Sequence, residues 1–216
     1  MTPVGPLYVD YFFLAHDGYT GRPHIDTDLL GAGLAGAVLA DLVTAGLVAI
    51  GSRHVRVETT DGTAAPNVTA RTVLELLRRG EHPLDEWVDA LARPLCTVVG
   101  DEIVHSGLAS RHAAGRLATL TRQPVRYVPT DAVRAAAPRV LLRHAADATP
   151  VDPRTVTLAA LAVATGLEGV VADGANRLAL GRLRAIAAEA SGDVLTIVNG
   201  INSAAIRIAL TPRRGQ

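Results

Sequence analysis

The chain has 216 residues, 49% of them hydrophobic but only 3% aromatic, and its 21 basic residues balance 21 acidic ones. That much apolar material supports one domain with a sizeable core and excludes global disorder, while a formal charge of zero excludes attraction to nucleic acid or anionic lipid by a bulk field. A single cysteine, Cys96, excludes an internal disulfide and a thiolate metal cluster, and implies a reducing compartment.

Every basic residue is arginine. Together with abundant alanine this fits GC-rich coding; it also fits phosphate binding, because arginine offers a planar fork to an anion. With no net charge, any anion site must be a local cluster. No basic region followed by a long apolar run opens the chain, so no secretory signal is expected. The uncharged stretches 29–40 and 155–167 fall short of the roughly 20 residues that cross a bilayer and read as buried helices.

In chain order, Leu7 to Ala15 is a short apolar element with Leu7, Tyr11 and Leu14 on one stripe, broken by His16-Asp17-Gly18. Asp26-Thr27-Asp28 supplies N-caps for a helix in which Leu30, Leu34, Val38 and Leu42 recur every four residues. Gly31, Gly33, Gly36 and Ala37 thin its other faces, so a neighbour can pack very close. Gly46 suits the C′ position. Leu47–Ile50 and Val55–Val57 are β-prone runs separated by a turn and predict a hairpin, closed by Asp61-Gly62.

Thr72-Val-Leu-Glu75 has capping-box spacing and predicts a helix start, with Arg78-Arg79-Gly80 as a solvated helix end. Pro83 at N1, with Asp85 and Glu86 in the first turn, starts another helix. It runs towards Ala92, is interrupted or restarted at Pro94, and stops at Gly107. Arg116–Leu120 and Val125–Val128 predict a second hairpin. Thr130-Asp131 caps a helix to about Ala146, kinked or divided at Pro138. Asp152-Pro153 caps a helix to Thr165, Asp173-Gly174 opens one ending near Gly192, and Val194–Leu210 is the last. The expectation is a mainly α fold: a single multihelical domain over 1–216 with two short β-hairpins.

Catalytic chemistry has no signature here. The seven histidines are scattered and none makes an HxH or HExxH spacing, so no metal site is expected. There is no GxSxG elbow and no phosphate loop ending in Gly-Lys. Gly31-Ala-Gly33-Leu-Ala-Gly36 matches GxGxxG, but no strand precedes it and it sits within a helical pattern. Asp101 and Glu102 are adjacent on a helix and point to different faces, so they are not a catalytic dyad. Cys96 lies in an apolar stretch and reads as an inert thiol. No catalytic residue and no cofactor is assigned.

One stretch carries a recognisable signature: His16-Asp-Gly-Tyr-Thr20, Gly33-Leu-Ala-Gly36, and Ala40-Asp-Leu-Val-Thr-Ala-Gly-Leu47 before a hairpin. Val104-His-Ser-Gly-Leu108 and Asp152-Pro-Arg154 followed by Leu158-Ala-Ala-Leu161 agree with it in order and spacing. Over almost its whole length the chain resembles the Golgi phosphoprotein 3 family. The resemblance implies a non-enzymatic, cytoplasmic, peripherally membrane-associated adaptor that grips a phosphatidylinositol 4-phosphate-like headgroup through a tryptophan and arginines and engages membrane-protein clients. Among the family's contact positions, Arg93 matches. Ala35 falls where the family has an arginine, Asp26 near its tryptophan, and Cys96 on its second helix arginine. Arg22, after the Gly-Tyr-Thr turn, is a replacement phosphate contact, so Arg93 and Arg22 are the candidate headgroup-binding residues. The resemblance further implies a homo-oligomer joined through the second hairpin, with Leu117, Leu120, Val125 and Tyr127 on its apolar face, and no nucleic-acid partner. The other reading is a soluble accessory protein of a bacterial biosynthetic pathway that keeps the fold without lipid binding.

Overall fold

A helix that is apolar on every side has to lie inside the protein, and here that helix is α2 (Thr27–Thr44), in which every residue from Leu30 to Ala40 is buried. The computed structural model of the chain describes residues 5–51, 54–58, 65–112, 125–145, 150–172 and 176–210. Around α2 pack α1 (Leu7–Ala15), α3 (Val68–Leu77), α4 (Leu84–His105), α6 (Pro153–Ala164) and α9 (Gly192–Leu210). Outside them lie α5 (Ala132–Ala145) against α1 and α6, α7 (Glu168–Val171) against α5, and α8 (Arg177–Ala188) against α6. The fold is mainly α, as expected, with two antiparallel strand pairs among the described residues.

The small residues of α2 do what their spacing predicts, each admitting a different neighbour. A Cβ on Gly31 would overlap the Ala92 backbone of α4, and one on Gly33 would overlap the Tyr11 ring of α1. One on Gly36 would meet Ile201 Cδ1 of α9 at 2.6 Å and Leu161 Cδ2 of α6 at 3.0 Å. Each missing methyl therefore sets how near one partner helix can come.

Three helices share one ending. After α2, α4 and α6 come Gly46-Leu47, Gly107-Leu108 and Gly166-Leu167, each glycine with φ near +70°. In each the leucine amide bonds five residues back (Leu47 to the Leu42 carbonyl, Leu108 to Ile103, Leu167 to Ala162) and the glycine amide closes the inner ring. This is the Schellman arrangement, with the leucine as its apolar clasp.

The first hairpin pairs β1 (Val48–Ile50) with β2 (Val55–Val57), Val48 opposite Val57. The Asp61-Gly62 closure lies outside the described residues. The second hairpin departs from expectation: its first strand is β3 (Ala109–His112), immediately after the Gly107 turn, paired with β4 (Arg126–Pro129). Ala109-Ser-Arg-His112 has little β-propensity, and only Ala109 is buried; backbone pairing with β4 makes the strand. The run 116–120 expected there lies outside the described residues.

Other boundaries move for local reasons. Helix α3 starts at Val68, capped by Asn67, whose Oδ1 accepts the Ala70 amide at 2.8 Å. Thr72 is therefore mid-helix, its hydroxyl donating to the Val68 carbonyl, and the capping-box reading fails. Pro83 is the N-cap of α4 rather than N1. Pro94 neither ends nor restarts α4, because it and Ala90, whose carbonyl loses its partner, both face solvent. Asn176, not Asp173-Gly174, caps α8 through the Ala179 amide. The turn α7 has no sequence signature.

Helices α2 and α9 span 18 and 19 residues and are long and apolar enough, by length and composition, to cross a membrane. The uncharged stretches count shorter because acidic residues punctuate them. Two-thirds of α2 is buried among other helices, whereas Leu195, Ile206 and Leu210 of α9 face outward.

Candidate functional site

The expected headgroup residues cluster in sequence around the loop 16–26, the start of α2 and the middle of α4. The loop is tightly built. Asp17 Oδ1 accepts the Tyr19 and Thr20 amides and the Thr20 hydroxyl, bonds that hold its carboxyl below the usual range. The Asp17 amide donates to the Arg22 carbonyl at 2.8 Å and the His24 amide to Ala15 at 2.8 Å. The His-Asp-Gly-Tyr-Thr signature is thus the sequence of a turn, and it leaves Tyr19 87% exposed.

The turn docks on the second hairpin. The Tyr127 amide donates to the Gly21 carbonyl at 3.0 Å. The Tyr127 ring lies against Gly100 of α4, where a Cβ would overlap it, and edge-on to Phe12. His16 stacks on Phe12 with centroids 4.0 Å apart and stands edge-on to Tyr127. It is 3% exposed, and its Nδ1 lies 2.7 Å from the Phe12 carbonyl. Burial pushes its pKa down to about 4, so the ring is neutral and Nδ1 carries the proton. The sequence marks His16 as a helix breaker and as the start of the His-Asp-Gly-Tyr-Thr signature, but not as a buried ring. The signal available was its spacing, one turn after Phe12, which stacks the two rings.

Of the two headgroup candidates, Arg93 projects from the outer face of α4, its side chain 86% exposed, with its Nε 3.7 Å from Asp28 Oδ1. Arg22 is exposed in the loop, its amide bonded to the Thr20 hydroxyl. The remaining family positions are spent otherwise. Ala35 is wholly buried in α2. Asp26 caps α2, accepting the Asp28 amide at 2.9 Å. Cys96 is half-buried, its thiol raised to about 11 by burial and bonded to the Thr27 carbonyl at 3.4 Å. Two acids therefore stand at the positive end of α2, where an anion would otherwise be favoured.

Of the expected oligomerisation residues, Tyr127 is buried, Val125 is half-buried, and Leu117 and Leu120 lie outside the described residues. The double arginine sits as a helix end, Arg78 capping α3 beside Gly80 and Arg56, which pairs with Glu58 at 2.8 Å. Asp101 and Glu102 do point apart: Asp101 pairs with Arg111 at 3.0 Å, while Glu102 accepts the Tyr8 hydroxyl at 2.8 Å and that of Thr69. Among the described residues no group of three His, Cys, Asp or Glu side chains is placed to hold a metal.

The protein-family model described as Golgi phosphoprotein 3 (GPP34) matches residues 7–201 of the chain. No curated protein matches it.

Proposed function

The chain belongs to the Golgi phosphoprotein 3 family, and on that premise we propose a non-catalytic adaptor that associates peripherally and reversibly with anionic membranes from the cytoplasmic side. Arg93 and Arg22 contact headgroup phosphates, and membrane proteins are its clients. The observation that supports this reading is the state of Arg93, which matches a family contact position: its side chain is almost fully exposed, and among the described residues its ion pair is a long, solvent-facing one with Asp28. Such pairs are worth about 0–1 kcal/mol, whereas a charge-assisted bond to phosphate is worth about 1.5–3 kcal/mol. Tyr19, exposed beside Arg22 on the loop, adds an aromatic with an apolar body and a polar tip, suited to a membrane surface. Self-association through the second hairpin belongs to the same reading, with Leu117, Leu120, Val125 and Tyr127 as its apolar contacts.

A second reading, a soluble accessory protein that kept the fold without lipid binding, is favoured by Asp26 and Asp28 at the start of α2 and by the loss of the family arginines at Ala35 and Cys96. Co-sedimentation with anionic vesicles, with and without phosphoinositide, separates the two. Wild type should pellet at low salt, and Arg93→Ala should bind roughly ten- to a hundredfold more weakly. Wild type ignoring every anionic vesicle leaves the accessory protein as the account. Equal binding by Arg93→Ala removes the site assignment alone. Sedimentation showing a monomer at high micromolar concentration removes the hairpin contact.

A further inference from the structure

Helix α5 carries two apolar faces, where packing against the rest of a protein calls for one. Ala135, Pro138, Leu142 and Ala145 are buried against the body of the chain. On the opposite side Val133, Ala137, Val140 and Leu141 stand at i, i+4, i+7 and i+8 of a second stripe, and all four are exposed, Val133 at 81%. Arginines border this outer stripe on both sides, Arg134 along one edge and Arg139 and Arg143 along the other. The helix has no acidic residue. In a chain of zero formal charge it is therefore a local excess of positive charge. Asp131, just before it, is turned onto the helix end, where its carboxylate accepts the Val133 and Arg134 amides at 2.8 and 3.2 Å. Among the described residues neither Arg134 nor Arg139 has a carboxylate partner. Arg139 donates to His24 Nε2 at 3.3 Å, which joins that edge to the loop bearing Tyr19 and Arg22. Arg143 Nε donates to the Val171 carbonyl at 2.7 Å.

We propose that the outer face of α5 lies on an anionic membrane, its aliphatic stripe at the boundary of headgroups and acyl chains and its arginines at lipid phosphates. An exposed apolar stripe bordered by cations is the make-up of a helix that rests in that layer. Charge selects this occupant over a second copy of the chain, because pairing the stripe with itself would bring arginine edges together. The proposal rests on the membrane reading above and deepens it with a second contact. Neither Arg93 nor Arg22 belongs to this helix, and a face of this kind responds to surface charge rather than to one headgroup.

The test co-sediments the full chain with vesicles of phosphatidylcholine alone, or of phosphatidylcholine mixed with phosphatidylserine, without phosphoinositide. Wild type should pellet with the mixed vesicles and not with phosphatidylcholine. Val133→Asp puts a carboxylate on the exposed stripe and should weaken binding roughly tenfold or more. Arg134→Ala should weaken it about fivefold, the worth of one arginine near an anionic surface. A polarity-sensitive dye on Ala137→Cys, in a Cys96→Ser background, reports contact directly: its emission should shift to the blue with mixed vesicles and stay unmoved with phosphatidylcholine. With wild type still pelleting, an unmoved dye or undiminished binding by Val133→Asp would overturn the α5 contact and leave the membrane reading in place. So would pelleting that requires phosphoinositide. Wild type that pellets with no anionic vesicle, phosphoinositide included, would overturn both. A lipid-free dimer that Val133→Asp converts to monomer would assign the stripe to a second copy and overturn the proposal.

Discussion

Gly21 and Tyr127 hold each other through their backbones: the Tyr127 amide donates to the Gly21 carbonyl at 3.0 Å, while a Cβ on Gly21 would lie 2.5 Å from the Tyr127 carbonyl carbon and oxygen. This one contact fastens the loop bearing Tyr19 and Arg22 to the second hairpin. Gly21 also has φ +64°, a conformation that an L side chain adopts at about 1–2 kcal/mol. Gly21→Ala incurs that strain and the clash together, for a loss of about 2–4 kcal/mol. A thermal melt within a degree of wild type would show that the loop does not dock in this way.

The glycines of α2 differ in what they face, and their alanine variants should differ accordingly. Gly31 abuts the backbone of Ala92, which cannot rotate aside; Gly36 abuts the methyl ends of Ile201 and Leu161, which can. Gly31→Ala should cost about 2–4 kcal/mol. Gly36→Ala should stay within about 1 kcal/mol of wild type, since helix propensity returns nearly that much. Gly36→Leu is too large to absorb and should cost roughly 1–3 kcal/mol or more. Urea unfolding ranks the three; equal losses for the two alanine variants would contradict the assigned packing.

The start of α3 can be checked in the same way. Asn67→Ala removes the cap of the Ala70 amide and should cost about 1 kcal/mol. Thr72→Ala, on an exposed mid-helix face, should be neutral or slightly stabilising. The reverse order would restore Thr72 as the helix start.

A partly buried carboxyl and a buried imidazole give opposing pH dependences. Asp41 accepts the Leu7 amide at 2.9 Å and lies 3.9 Å from Arg154, yet burial dominates and raises its pKa from 3.8 to about 6. An acid that binds its proton more tightly when folded favours folding below pH 3.8, and that stability is lost as pH rises to about 6. His16 is lowered from 6.5 to about 4, also chiefly by burial, so its contribution is lost as pH falls from 6.5 to 4. Each effect is on the order of 3 kcal/mol. They oppose each other over pH 4–6, so wild type should show a shallow stability profile there. Asp41→Asn removes the falling limb, and its stability should rise steeply with pH across that window. A variant profile parallel to that of wild type would mean that Asp41 is not protonated in the folded state.

Local sequence carried most of the architecture. Short-range rules fixed α1, the Asp26 and Asp152 caps, the glycine ends of α2 and α4, and β1–β2, because each rests on groups within a few residues of one another. The glycines of α2 announced close packing for the same reason: a missing side chain is visible in the sequence, whichever neighbour fills the space. Strand β3 was not legible, since Ala109-Ser-Arg-His112 becomes a strand only by pairing with Arg126–Pro129, which is distant in sequence. Nor was the continuity of α4 through Pro94, which depends on which face meets solvent.

The candidate sites divide along the same line. The family and the exposed Arg93 and Arg22 follow from residue type and order, which the chain carries by itself. What surrounds them was decided by tertiary structure: Asp28 opposite Arg93, Ala35 sealed in the core, and His16 pressed between Phe12 and Tyr127. Charge partners, burial and cavities arise when elements distant in sequence converge, and no local pattern encodes the distance between them.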